Sequence, residues 1–179
     1  MRKTQIIKDH LVSKKDFKVS EHLPGVLITK PYLSEEDLSK YYNSTNYISH
    51  NTGKGLFYSL FKFLSNYMLK KKYKMIKPYL KKESLAVDFG CGLGKFTSFV
   101  SNKGFTVVGI ENNSNAIKYC RENNLQTYKS LDQIDQKLNL ICFWHSFEHV
   151  SSYDDILAQT SKLLKKDGVV LIALPNFLS

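Results

Sequence analysis

Between residues 84 and 175 the chain alternates short apolar runs with stretches of helical periodicity, and few architectures accept that pattern. SLAVDFG, FTVVGIE, LNLICFW and VVLIALP are apolar at nearly every position rather than at every second one. A strand of that kind hides both faces, so it belongs in a parallel sheet covered by helices on each side. Helices are expected over residues 95–101, 114–123 and 154–165, with a weak strand over 125–128 and a turn at Asp167-Gly168 before the last run. Right-handed crossovers make such a sheet doubly wound.

The first run ends in Asp88-Phe89-Gly90-Cys91-Gly92-Leu93-Gly94, where strand passes into helix. Glycines there let the backbone turn sharply and let a ligand approach without meeting a Cβ. Open parallel sheets bind ligands beyond the carboxyl ends of their strands, which is where this loop falls. Spacing narrows the ligand. A dinucleotide loop, G-x-G-x-x-G, would place its third glycine at Lys95, and a P-loop would need a hydroxyl where Phe96 stands. Glu111 closes the second run, and a carboxylate there can accept hydrogen bonds from both hydroxyls of a ribose. Binding of NAD or FAD is the competing reading.

The D-x-G-x-G-x-G loop resembles motif I of the class I S-adenosylmethionine-dependent methyltransferases. FWHSFEHV after the fourth strand and LLKKDGVVLIALPN into the fifth are similar to the corresponding segments of that superfamily. The resemblance implies an α/β, Rossmann-like parallel sheet of order 3-2-1-4-5 and S-adenosylmethionine as cofactor. It implies that Gly90, Cys91 and Gly92 offer backbone to the methionine part, with Asp88 ordering the loop or reaching the amino group. Glu111 would hold the ribose, Asn112 would lie against the adenine, and Ser130 and Leu131 would supply backbone to its edge. Trp144 would line the pocket from the other side. Relatives often carry Asp where Asn139 begins strand four, a departure expected to act only locally.

His145, Glu148 and His149 follow the fourth strand, facing the glycine loop across the switch-point crevice of such a sheet. Three roles are open to them. They can act as a base on the methyl acceptor, or fix the loop through hydrogen bonds. They can also hold a divalent metal, because the spacing resembles the E-x-x-E-H signature of metal-dependent quinone O-methyltransferases with His145 in the first Glu position. No metal is assigned. Methyl transfer often needs little beyond apposition of nucleophile and methyl group.

The first half of the chain is different in character. Of the 26 Lys+Arg and 16 Asp+Glu, residues 1–84 hold 17 and 7, so the entire net charge of +10 lies there. Residues 1–83 are expected to form a basic, helical N-terminal lobe, and residues 84–179 the cofactor-binding core. GVLITK reads as one short strand, SEEDLSKYY as a helix start capped by Ser34, and the segment from Gly55 as an amphipathic helix bent or ended by Pro78. SEEDLSKYYNSTNYISHN resembles a bacterial methyltransferase subgroup whose N-terminal zinc ribbon is here without its cysteines. Residues 56–82 interleave aromatics with lysines, which suits RNA or an anionic membrane face. The plainer reading, which the sequence favours, packs the aromatics on the sheet and exposes the lysines.

Cys91, Cys120 and Cys142 are far apart, which argues against a zinc site or a disulfide framework and fits a reducing cytosol. No run reaches the about 18 apolar residues that span a bilayer, so the expected location is cytoplasmic. A full class I fold carries two further strands after the fifth. With the chain ending at Ser179, the fifth strand is expected to be an open edge that dimerises or is covered by N-terminal residues. The expected function is methyl transfer to an unidentified small-molecule oxygen or nitrogen. A non-catalytic S-adenosylmethionine-binding module and an RNA methyltransferase are the alternatives.

Overall fold

The computed structural model of the protein describes residues 4–10, 13–31 and 56–176. The chain divides into two compact units, residues 1–53 and 54–179. The helix start at Ser34 and the ribbon-like segment after it lie outside the described residues.

In the first unit, β1 (Thr4–Lys8), β2 (Asp16–Leu23) and β3 (Val26–Lys30) form an antiparallel meander. The described elements of this unit are strands, and the expected amphipathic helix lies in the second unit. GVLITK is a strand, as read, but it is the third of a sheet rather than an isolated one. In β2, Phe17 and Val19 alternate with exposed Asp16 and Lys18, a period of two that favours a strand. Pro24-Gly25 makes the β2–β3 turn, with Gly25 at φ +78° and its N–H donated to Glu21 Oε1 at 3.0 Å.

The second unit opens with α1 (Leu56–Ile76), followed by a 3₁₀ turn at Lys77–Tyr79 that contains Pro78. Leu69, Tyr73 and Ile76 pack α1 onto the sheet core, so this helix belongs with the core unit. By compactness the units part at 53/54.

Five parallel strands follow: β4 (Leu85–Phe89), β5 (Val107–Ile110), β6 (Thr127–Tyr128), β7 (Leu138–Trp144) and β8 (Leu164–Ala173). Their spatial order, β6-β5-β4-β7-β8, is the expected 3-2-1-4-5. The helices between them are α2 (Lys95–Ser101), α3 (Ser114–Glu122) and α4 (Tyr153–Leu163). Alternate residues of each strand feed opposite layers. Leu85 and Val87 of β4 join Ile141 and Phe143 of β7 in one layer, while Ala86 joins Leu140 and Cys142 in the other with α1 and α2. That two-sided burial explains why the runs read as continuously apolar.

The last strand departs from expectation in one respect. Leu164 already pairs with Leu138, and Val169 pairs with Leu140, so four residues bulge against Asn139. Asp167-Gly168 lies within this bulge instead of forming a free turn. A Cβ on Gly168 would stand 2.8 Å from Leu164 Cδ2 and 3.0 Å from the Leu138 carbonyl, so a larger residue there would have to push these neighbours aside. Lys81 pairs with Asp167, and Lys165 Nζ donates to Ser84 Oγ at 3.2 Å, pinning the bulge to the amino end of β4. Among the described residues β8 stands at the end of the sheet order and pairs with β7.

Candidate functional site

The crevice lies at the carboxyl ends of β4 and β7, the neighbours at which strand order reverses. Gly90, Gly92 and Gly94 have φ of +72°, +55° and +68°, the left-handed values that L side chains resist. Gly90 is constrained twice, since a Cβ there would lie 2.4 Å from Ser146 Cβ. Ser146 is itself buried, and its Oγ donates to the Phe89 carbonyl at 2.6 Å, clasping the end of β4 to the segment after β7.

The loop leans on β5. Gly90 and Cys91 both donate N–H to the Ile110 carbonyl, at 2.8 and 3.0 Å. Gly92 donates to Glu111 Oε2 at 2.8 Å, and Asn113 donates to Glu111 Oε1 at 2.9 Å. The loop N–H groups are thus engaged within the protein, while the Gly90 carbonyl takes part in none of these bonds. Each Glu111 oxygen accepts one of these bonds and retains capacity for another. Asn112, beside it, is exposed. Burial pushes the Cys91 thiol far up.

Asp88 is buried at the end of β4, and Thr97 Oγ1 of α2 donates to its Oδ2 at 2.8 Å. Burial raises its carboxyl to about 6, against the opposing pull of Thr97 and Lys72. Lys72 of α1 stands with Nζ 4.9 Å over the Trp144 ring and 5.8 Å over that of Phe96. Burial lowers the pKa of its ammonium, and the charge of Asp88 opposes that. Phe96 meets Trp144 edge to face at 5.5 Å. The Trp144 indole Nε1 is buried and has no hydrogen-bond partner among the described residues. One corner therefore holds a buried acid, a nearby cation, two aromatic rings and an unspent N–H donor.

The remaining sequence-predicted residues sit around this frame. Ser130 is half-buried and precedes a 3₁₀ turn, and Leu131 is wholly buried in the core, so only its backbone is available to a ligand. His145 has a positive φ of +55° and donates its N–H to the Ala173 carbonyl at 3.0 Å. A histidine held in this conformation directly after β7 marks a constrained position. Its Nδ1 lies 3.9 Å from Glu148 Oε1. Glu148 and His149 lie in a 3₁₀ turn, Phe147–His149, so the three do not share one face of an α-helix. Among the described residues no trio of His, Cys, Asp or Glu converges as metal ligands.

Three contributors escaped the sequence reading: Lys72, Thr97 and Ser146. A signal existed for Lys72, since it shares the inward phase of Leu69 and Ile76 on α1.

A doubly wound sheet with an acid-flanked glycine loop at its switch point defines an α/β core of the nucleotide-binding type. The methyltransferase-domain family matches residues 60–178, and the chain belongs to it. A ubiquinone biosynthesis O-methyltransferase from Pelagibacter ubique is 31% identical over 99 residues, which are 50% of this chain and 41% of that protein. Its counterpart from Bartonella bacilliformis is 28% identical over 100 residues, 50% of this chain and 40% of that one. The chain thus spans about two-fifths of the length of these curated relatives. Among solved structures, a SAM-dependent methyltransferase from Archaeoglobus fulgidus superposes with a TM-score of 0.55 at 26% identity, over 63% of this chain and 54% of that one. The core thus has the fold of S-adenosylmethionine-dependent methyltransferases. Among the described residues no helix is long and apolar enough to cross a membrane.

Proposed function

We propose that this chain binds S-adenosylmethionine and takes part in methyl transfer to an oxygen or nitrogen of a small molecule. The carrying observation is the pairing of Glu111, at the end of β5, with the glycine loop, beside a corner that matches a methionine moiety in charge. That moiety has an ammonium and a carboxylate. Asp88 and the Gly90 carbonyl suit the ammonium, Lys72 suits the carboxylate, and the free Trp144 N–H offers one further donor. Glu111 has acceptor capacity left for the two ribose hydroxyls, with Asn112, Ser130 and Leu131 toward the adenine.

When bound, the cofactor supplies a methyl group made electrophilic by its sulfonium. The protein's own part is to bind, orient and remove a proton. Trp144 and Phe96 line this corner, meeting edge to face at 5.5 Å. His145, with Glu148 at 3.9 Å, suits a base that takes the acceptor's proton, and the strain at His145 supports a functional rather than a filling role. His149 closes the 3₁₀ turn that carries Glu148. The small-molecule acceptor takes support from the relatives, whose names place them in ubiquinone biosynthesis as O-methyltransferases.

The test is thermal unfolding with S-adenosylhomocysteine, S-adenosylmethionine or NAD. An adenosyl ligand at about 100 times its Kd adds about 2.7 kcal/mol and raises Tm, with no shift for NAD. Equal shifts with NAD, or none with either adenosyl compound, would refute the cofactor assignment.

A further inference from the structure

Helix α1 has two apolar faces. The inner one, Leu69, Tyr73 and Ile76, is spent on the sheet core. The outer one is not. Phe63, Leu64, Tyr67, Met68 and Met75 are each between 47% and 68% exposed, far beyond the scattered single apolar side chain normal on a surface. Their spacing is systematic: Phe63, Tyr67 and Met75 lie on one i, i+4 row, and Leu64 and Met68 on the next. Lys71 completes the first row, with its Nζ 4.9 Å over the Tyr67 ring, and Lys70 and Lys74 lie along its flank. Between residues 56 and 82 the sequence carries eight lysines and no acidic residue.

We propose that this outer face of α1 docks on an anionic lipid surface, with Phe63, Leu64, Tyr67, Met68 and Met75 entering the headgroup region and the lysines meeting lipid phosphates. The composition selects this occupant. An interfacial helix needs large apolar and aromatic side chains on the buried side and lysines placed to reach anionic headgroups. A second copy of the chain would bring one lysine-rich face against another and be repelled. Nucleic acid would use the lysines and the two aromatic rings but leave Leu64, Met68 and Met75 without function. Lys72, on the same helix, reaches the Trp144 corner, so docking would bring the cofactor site close to the lipid. The proposal does not depend on the identity of the methyl acceptor.

Flotation of the full chain with vesicles decides the matter. Vesicles of equal parts phosphatidylglycerol and phosphatidylcholine should carry the protein, pure phosphatidylcholine should not, and added salt should weaken binding. F63S/M68S should weaken partitioning about ten-fold or more while leaving Tm unchanged, since both side chains are exposed. Should that pair lower Tm, K70E/K74E reads the same surface through charge and should also abolish flotation. Four results would overturn the proposal: no binding to the mixed vesicles, equal binding to both kinds, RNA binding lost in K70E/K74E yet unaffected by F63S/M68S, or a dimer dissolved by F63S/M68S.

Discussion

Replacing Gly90 with alanine probes the clasp between the glycine loop and the segment after β7. The new methyl group meets two penalties. The backbone there has φ +72°, and alanine in the left-handed region costs about 1–2 kcal/mol. The added carbon would stand 2.4 Å from Ser146 Cβ, and overpacking of this kind adds about 1–3 kcal/mol. Ser146→Gly alone removes the opposing carbon and gives up the bond to the Phe89 carbonyl, a loss of about 1 kcal/mol. In the double variant the clash disappears and the backbone strain stays. It should therefore be less destabilised than the sum of the singles by about 1–3 kcal/mol. Urea unfolding of the four proteins measures this. The protein has a single tryptophan, Trp144 of β7, so its fluorescence reports on the core unit alone. Additivity within about 0.5 kcal/mol would show that Gly90 and Ser146 do not compete for the same space.

Three further outcomes are expected. Glu111→Ala should weaken S-adenosylhomocysteine binding by about 1.5–3 kcal/mol, ten-fold or more in titration calorimetry, while unchanged affinity with a lowered Tm would reduce Glu111 to a tie between Gly92 and Asn113. Burial lifts Asp88 from 3.8 to about 6, so the folded state takes its proton before the unfolded chain does. Its contribution to stability should therefore rise by up to about 3 kcal/mol as pH falls from above 6 to below 4, while affinity for the cofactor falls over the same window. Asp88→Asn should flatten both trends in melting curves and calorimetry, and trends of the same sign in the parent protein would refute the assignment. Lys72→Met should keep the fold and lower affinity for the carboxylate-bearing cofactor about ten-fold, with decarboxylated S-adenosylmethionine much less affected. An equal loss for both ligands would remove Lys72 from the carboxylate's neighbourhood.

The sheet core was legible because its pattern leaves little choice. LNLICFW is apolar at every position but Asn139, and β7 has those very bounds. Helix α2 over Lys95–Ser101 could be read from the glycines that precede it. What sequence could not supply was register and phase. The bulge in β8 arises from how Leu164 and Val169 pair with β7, a tertiary matter invisible in KKDG itself. The short TQIIK of β1 carries too few residues to announce a strand, and it exists by pairing with β2. At the site, the chemistry-bearing residue types Asp88, Glu111 and His145 were visible, but their supports were not. Ser146 matters because of the space above Gly90, and Thr97 because it reaches Asp88 from nine residues on. Within the lysine run KKKYK, only the phase shared with Leu69 and Ile76 singles out Lys72 as the member that turns inward.

The bulge at residues 165–168 also has a use. It lies at the amino end of the sheet, where β7 and β8 begin, and the crevice lies at the opposite end. Lys165 and Lys166 are exposed, while Leu164 and Val169 on either side hold their partners on β7. Extra length between the two lysines would protrude into solvent with both anchors still in register. Position 165/166 is thus a natural seam for threading in an epitope, a fluorophore-binding peptide or a surface tether, and it leaves the cofactor end of the protein facing freely away from whatever is attached.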